Sequence, residues 1–233
     1  MLVVIQNDPE VPLGAFAGQV AEEGVPHRTV RPYAGESLPP LSGVTAALVL
    51  GGAMGVHDED RHPFLAGVKG FVRECMARAI PFLGICLGGQ LLADVLGAPV
   101  TPNACGERGS LTVRLSPEGR MDPLFAGVPE EFVTFQWHND CFALPQGAVL
   151  LASSPACPGQ AFRFGGNAYG LQFHPEVDRA IVRLWARETA ETAPAAGRFL
   201  ADFIVREDDY RRASRRLFDN FLQIARLRQV PGN

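Results

Sequence analysis

Two short stretches carry the residues best suited to do chemistry: Gly84-Ile85-Cys86-Leu87-Gly88-Gly89-Gln90 and Gly170-Leu171-Gln172-Phe173-His174-Pro175-Glu176. In the first, a cysteine has glycine two residues to either side and lies between an apolar run and an amphipathic one. That is the pattern of a sharp strand-to-helix corner, where a nucleophile sits in a strained backbone and a neighbouring Cβ would collide. A helix starting at Leu87 would point its amino end at the Cys86 sulfur and favour the thiolate. The Leu87 amide would be free to donate to a developing oxyanion. The alternative for Cys86 is a small apolar residue buried in a glycine-rich turn.

A thiolate enzyme needs an imidazole to move protons and a third group to orient it. Of the five histidines, His174 stands out because it follows an apolar strand and has a carboxylate, Glu176, two residues on. Pro175 fixes the backbone between them, so both side chains can face one cleft from a rigid turn. Taken alone, His-Pro-Glu also reads as a surface turn.

The elements that must hold these residues follow from the hydrophobic pattern. Leu2 to Gln6, Ala46 to Leu50 and Pro81 to Ile85 are short apolar runs, expected to be buried strands, with a short strand at His27 to Val30. Leu13 to Glu23, stopped by Gly24, Phe64 to Ala79 and Leu87 to Leu96 have helical spacing. This alternation predicts a three-layer, flavodoxin-like α/β fold with a central, mostly parallel sheet. From Leu111 to Phe173 short β-type runs predict a mixed sheet with some antiparallel strands: Leu111 to Leu115, Phe132 to Phe135, Ala148 to Ser153, Ala161 to Phe164 and Tyr169 to Phe173. With no repeat or linker between these parts, residues 1–233 are expected to form one domain, its core ending near 182 and a helical extension covering 183–233.

After Val182 ten arginines face seven acids, whereas residues 1–182 carry eleven basic and eighteen acidic groups. Tyr210, Ala213, Leu217, Phe221 and Ile224 recur at i, i+3, i+4 spacing, so an amphipathic helix with a basic outer face is expected there. It would pack on its own domain or dock a partner.

Composition bounds the rest. A chain of 233 residues with 47% hydrophobic content fills a sizeable core, and a formal net charge of -4 argues against nucleic-acid binding through bulk charge. No apolar run is long enough for a membrane span or a signal peptide, so a cytoplasmic location is expected. Five scattered cysteines with no C-x-x-C pair indicate neither a disulfide framework nor a structural zinc site. His57, Asp58, Glu59, Asp60 and His62 crowd six positions, but consecutive loop residues seldom converge on one ion, and no metal or cofactor is expected.

The two stretches together, with His174 lying 88 residues after Cys86, resemble the signatures of the class I glutamine amidotransferases of the Cys-His-Glu type. Residues 44 to 178 carry the likeness most clearly. The resemblance implies that Cys86 attacks the side-chain amide of glutamine, His174 protonates departing ammonia and Glu176 holds His174. It further implies an oxyanion donor at Gly52, in Gly51-Gly52-Ala53-Met54-Gly55, beside Leu87, and contacts to the amino-acid end of the substrate from Gln90, His138 and Asp140. The loop at 138–140 could equally be a turn in which Asp140 caps a backbone amide.

Such proteins pass ammonia to a synthetase, yet no phosphate-binding loop is recognisable here, so an acceptor would lie on a partner subunit. Ile5-Gln6-Asn7-Asp8 and Trp137-His138-Asn139-Asp140 look most like a stand-alone branch related to the glutaminase domain of GMP synthetase. Cleavage of γ-glutamyl peptides, or non-catalytic binding, are the alternatives.

Overall fold

The computed structural model describes residues 1–227. Along the chain run β1 (Leu2–Ile5), α1 (Ala15–Glu22), β2 (His27–Val30), β3 (Ala46–Val49), α2 (Phe64–Ala77), β4 (Phe82–Ile85) and α3 (Leu87–Val95). There follow β5 (Val100–Thr101), β6 (Glu107–Leu115), α4 (Pro117–Met121), β7 (Glu131–His138), β8 (Cys141–Phe142), β9 (Val149–Ser153), β10 (Ala161–Phe164) and β11 (Ala168–Leu171). The last two helices are α5 (Arg179–Trp185) and α6 (Ala196–Ile224).

Nine strands form one sheet in the order β2-β1-β3-β4-β11-β10-β9-β6-β7. From β2 to β11 all neighbours are parallel, and from β11 to β7 all are antiparallel. The α/β architecture expected from the sequence is present, with the mixed half where the short β-type runs predicted it. β5 and β8 form a separate antiparallel pair.

Both faces of β1, β3, β4 and β11 are covered, which is why these strands read as apolar runs, whereas the edge strand β2, His-Arg-Thr-Val, is largely exposed. Side chains alternate across the sheet: Leu2, Val4, Ala46 and Leu48 pack with Phe16 and Val20 of α1 and with Leu217 and Phe221 of α6. Val3, Ile5, Ala47 and Val49 pack on the other face with Val68 and Val72 of α2 and with Leu91 of α3. The predicted helix from Leu13 begins two residues later, because Gly14 has φ 54 and ψ -133, outside the helical region. A side chain there would strike the Glu176 carbonyl, and the Ala15 amide donates to that same carbonyl at 2.8 Å. The first helix is thereby pinned to the His174–Glu176 turn.

α6 buries Tyr210, Ala213, Leu217 and Phe221, as their spacing predicted, and stacks Phe218 on Phe16 with centroids 4.0 Å apart. It packs on its own sheet rather than standing clear of it. Arg228 and the remainder of the predicted extension to 233 lie outside the described residues. No helix among the described residues is long and apolar enough to cross a membrane.

The cysteines require a correction. Cys105 and Cys141 form a disulfide across 36 residues. The β5–β8 pairing sets Thr101 opposite Cys141, and the Cys105 amide donates to Asn139 O at 3.2 Å, so tertiary contacts bring together two sulfurs that no sequence spacing links. Cys75, Cys86 and Cys157 are free.

Candidate active site

Parallel sheets gather their functional groups at the carboxyl ends of the strands. Here β3, β4 and β11 end side by side, and all three contribute. β4 runs into Cys86, whose φ of 50 and ψ of -110 place it in a region that non-glycine residues seldom occupy, at a cost on the order of 1–3 kcal/mol. The surrounding glycines are needed for space. A Cβ on Gly84 would run into the Gly88 carbonyl, one on Gly88 into the Val49 carbonyl, and one on Gly89 into the Leu171 carbonyl. The elbow is held by the Cys86 amide donating to Leu171 O at 2.8 Å and the Gln90 amide donating to Cys86 O at 2.9 Å.

Beyond β11 the chain turns at His174, whose amide donates to Phe135 O on β7 at 2.8 Å. Its Nδ1 lies 2.7 Å from Glu176 Oε1, and neither residue has appreciable exposure. The imidazole lies beside Cys86, the two sharing the space around Gly51, and packs edge-on against Trp185, with centroids 4.7 Å apart. Burial alone would lower the ring's basicity. The negative charges of Glu176 and Cys86 outweigh burial and raise the His174 pKa to about 10.

These residues border a cleft of about 250 Å³, which Gly52, Gln90, Arg108 and Asp140 also line. Gly51 lies behind the cysteine and imidazole, where an added Cβ would meet His174 Cε1 at 3.1 Å and Cys86 Cβ at 3.4 Å. Among the described residues, neither the Gly52 nor the Leu87 amide donates a hydrogen bond within the protein. The Asp140 carbonyl lies 3.3 Å from Gln90 Nε2 and 3.1 Å from His138 Nδ1, so those three residues meet at one oxygen. Asp140 Oδ1 also accepts from the Asn103 amide at 3.0 Å, so it both caps a backbone amide and lines the cleft.

A family model, glutamine amidotransferase class-I, matches residues 18–180. The chain belongs to the class-I glutamine amidotransferases. Among curated relatives, it is 30% identical over 190 residues to the putative glutamine amidotransferase-like protein YfeJ of Salmonella typhimurium, covering 79% of this chain and 80% of that one. It is 39% identical over 139 residues to the glutamine-hydrolysing GMP synthase of Streptococcus thermophilus, covering 58% of this chain and 24% of the synthase. This amidotransferase chain therefore spans about a quarter of the synthase's length. Its fold also resembles a crystal structure of a glutamine amidotransferase from Thermotoga maritima, with TM-score 0.86, 29% identity, and coverage of 95% of this chain and 97% of that one. A second, from Methylobacillus flagellatus, also has TM-score 0.86, with 27% identity and coverage of 100% and 96%.

Two residues in or directly behind this cleft are unmarked in the sequence analysis. Gln172 is fully buried, accepts from Gln90 Nε2 at 3.2 Å and places its own Nε2 3.8 Å from Cys86 Sγ. The signal was available, since a buried amide in an apolar strand must find polar partners. Arg108 sits over the Trp137 ring, 5.8 Å from its centroid, and donates to Asn139 Oδ1 at 3.1 Å. Nothing in its local sequence marks it.

The loop around His57 is organised by ion pairs. Glu59 and Asp94 flank Lys69 Nζ at 2.5 and 3.0 Å, Asp58 holds Arg61 at 2.7 Å, and His57 lies 3.8 Å from Asp94.

Proposed function

We propose that this chain hydrolyses the γ-carboxamide of glutamine through a γ-glutamyl thioester on Cys86. The observation that carries the reading is the shared cleft, lined by both Cys86 and His174, in which the His174 ring is held from behind by Glu176 at 2.7 Å. Cys86 Sγ attacks the carboxamide carbon, and the oxygen that gains charge is met by the Gly52 and Leu87 amides. His174 gives its Nε2 proton to the leaving ammonia. It then takes a proton from water as that water attacks the thioester, releasing glutamate and restoring the starting charges. Glu176 keeps Nδ1 protonated and the ring aimed at the sulfur. Gln90, His138 and Asp140 form the wall that receives the amino-acid end of the substrate. The chain acts as one such unit over residues 1–233, and ammonia passes to an acceptor on a synthetase partner.

The reading is tested by glutamate release from glutamine and from a γ-glutamyl dipeptide, using the purified protein beside Cys86→Ala. Turnover of glutamine that disappears in the variant supports it. Turnover of the dipeptide in preference to glutamine replaces it with a γ-glutamyl peptidase. Glutamine hydrolysis that survives in Cys86→Ala sinks the thioester.

A further inference from the structure

Around His138, which lines the cleft, lies a polar cluster whose other members the hydrolytic reading does not use. Glu107 begins β6, His138 ends β7 directly opposite it, and Cys157 sits in the β9–β10 loop. One donor atom from each lies within 4.8 Å of the other two, and all three residues are buried. The sulfurs of Cys105, Cys141 and Cys157 likewise lie within 4.8 Å of one another. Cys157 belongs to both groups.

The decisive atom is His138 Nε2. Its partner on the ring, Nδ1, faces the Asp140 carbonyl at 3.1 Å, and a carbonyl can only accept, so Nδ1 carries the proton. Nε2 is then the ring nitrogen left for a second partner. It is buried, it has no hydrogen-bond partner, and it lies 3.3 Å from Glu107 Oε2. A cation seated between this nitrogen and the carboxylate would give both a partner. A backbone carbonyl behind Nδ1 is also the arrangement that orients a metal-binding histidine. Glu107 is oriented in turn by Ser154 Oγ at 2.8 Å and Gln160 Nε2 at 2.5 Å.

We propose that Glu107, His138 and Cys157 form a site for a thiophilic divalent cation of the zinc class, completed by a thiolate released when the Cys105–Cys141 disulfide is reduced. Two electrons from a dithiol or phosphine reductant enter the S–S bond and two protons from solvent give two thiols. Each thiol that binds the cation releases its proton. Tetrahedral zinc holds sulfur and nitrogen donors about 3.3–3.8 Å apart, so the present cluster needs to contract by on the order of 1 Å. Imidazole, thiolate and carboxylate together select such a cation over magnesium or calcium, which prefer oxygen alone. The cation would clamp His138, and through it the Asp140 carbonyl that also holds Gln90.

The test is a Co²⁺ titration of the full chain, phosphine-reduced and oxidised, followed by absorption and by metal content after desalting. One equivalent is expected in the reduced protein, with a thiolate-to-cobalt charge-transfer band and displacement by Zn²⁺. Affinity should fall at least about tenfold in the oxidised protein and about 10–100-fold in Glu107→Gln, which keeps the side chain's shape. The band should disappear in Cys157→Ala, with circular dichroism checking that each variant is folded. Uptake by the reduced protein no greater than by folded Cys157→Ala, or a Co²⁺ spectrum without thiolate character, overturns the proposal.

Discussion

The Tyr210 hydroxyl on α6 stands 3.1 Å from the His174 carbonyl and 3.1 Å from that of Val177, bridging the two ends of the turn that carries Glu176. One turn further along α6, Ser214 Oγ donates to the Pro175 carbonyl. The arginine-rich helix thus presents two hydroxyls to three carbonyls of one buried turn, while its basic residues face outward. It supports the imidazole through the backbone without contacting the cleft.

Replacing Tyr210 by Phe keeps the ring packed between Phe203 and the sheet but leaves two buried carbonyls without that donor. The expected cost is about 1–3 kcal/mol of stability. If the hydroxyl serves to position the turn, kcat for glutamine should fall by about threefold or more with little change in KM. Thermal melts and steady-state kinetics on the same preparation check both parts, and an unchanged kcat in a destabilised variant would assign Tyr210 to stability alone.

Glu176→Gln replaces a carboxylate by an amide of the same shape. The imidazolium loses the charge that outweighs burial, so the His174 pKa falls, and the amide can turn its NH₂ toward Nδ1 and favour the wrong tautomer. Glutamine hydrolysis is expected to drop by about 10²- to 10⁴-fold, and the melting temperature to fall near neutral pH because the buried imidazolium loses its charged partner. A loss under tenfold would show that Glu176 is not the orienting group.

The chemistry-bearing corners were legible because each breaks a local rule for a visible reason. Gly84, Gly88 and Gly89 stand where carbonyls approach too closely for a Cβ, and such glycines interrupt an otherwise apolar sequence. Buried Gln172 broke the strand pattern in the same way and could have been read. Arg108, the Cys105–Cys141 pairing and the Glu107–His138–Cys157 cluster could not, because each arises from strands or loops that meet only after the antiparallel half has folded. Helix boundaries behaved similarly. Gly14 displaced the start of α1 through contact with Glu176, a residue more than 160 positions away.

The raised His174 pKa also has a sign in pH. An imidazole that binds its proton more tightly when folded adds stability that is fully present below its unfolded value of about 6.5. That contribution is lost progressively as pH rises toward the folded value of about 10. The melting temperature of the native protein should therefore exceed that of His174→Gln by more at pH 6 than at pH 10. Melts of the two proteins across that range check it; a gap that is constant or widens with pH would mean that the folded pKa is not raised.

Gly88 and Gly70 separate steric need from helix propensity. Both lie in helices, α3 and α2, and by propensity alone alanine should stabilise either by roughly 0.5–1 kcal/mol. At Gly70 an added Cβ meets nothing within 4 Å, so Gly70→Ala should raise the melting temperature by about 1–4 °C with hydrolysis unchanged. At Gly88 the same methyl would enter the space of the Val49 carbonyl on β3, which is backbone and cannot rotate aside. The elbow would have to lift from the sheet, at a cost of about 1–3 kcal/mol or more, and Cys86 would move with it. Gly88→Ala is expected to melt lower and to lose hydrolysis and Cys86 labelling by an electrophilic glutamine analogue together. Stabilisation of both variants alike would show that the close approach of α3 to β3 does not set the nucleophile's position.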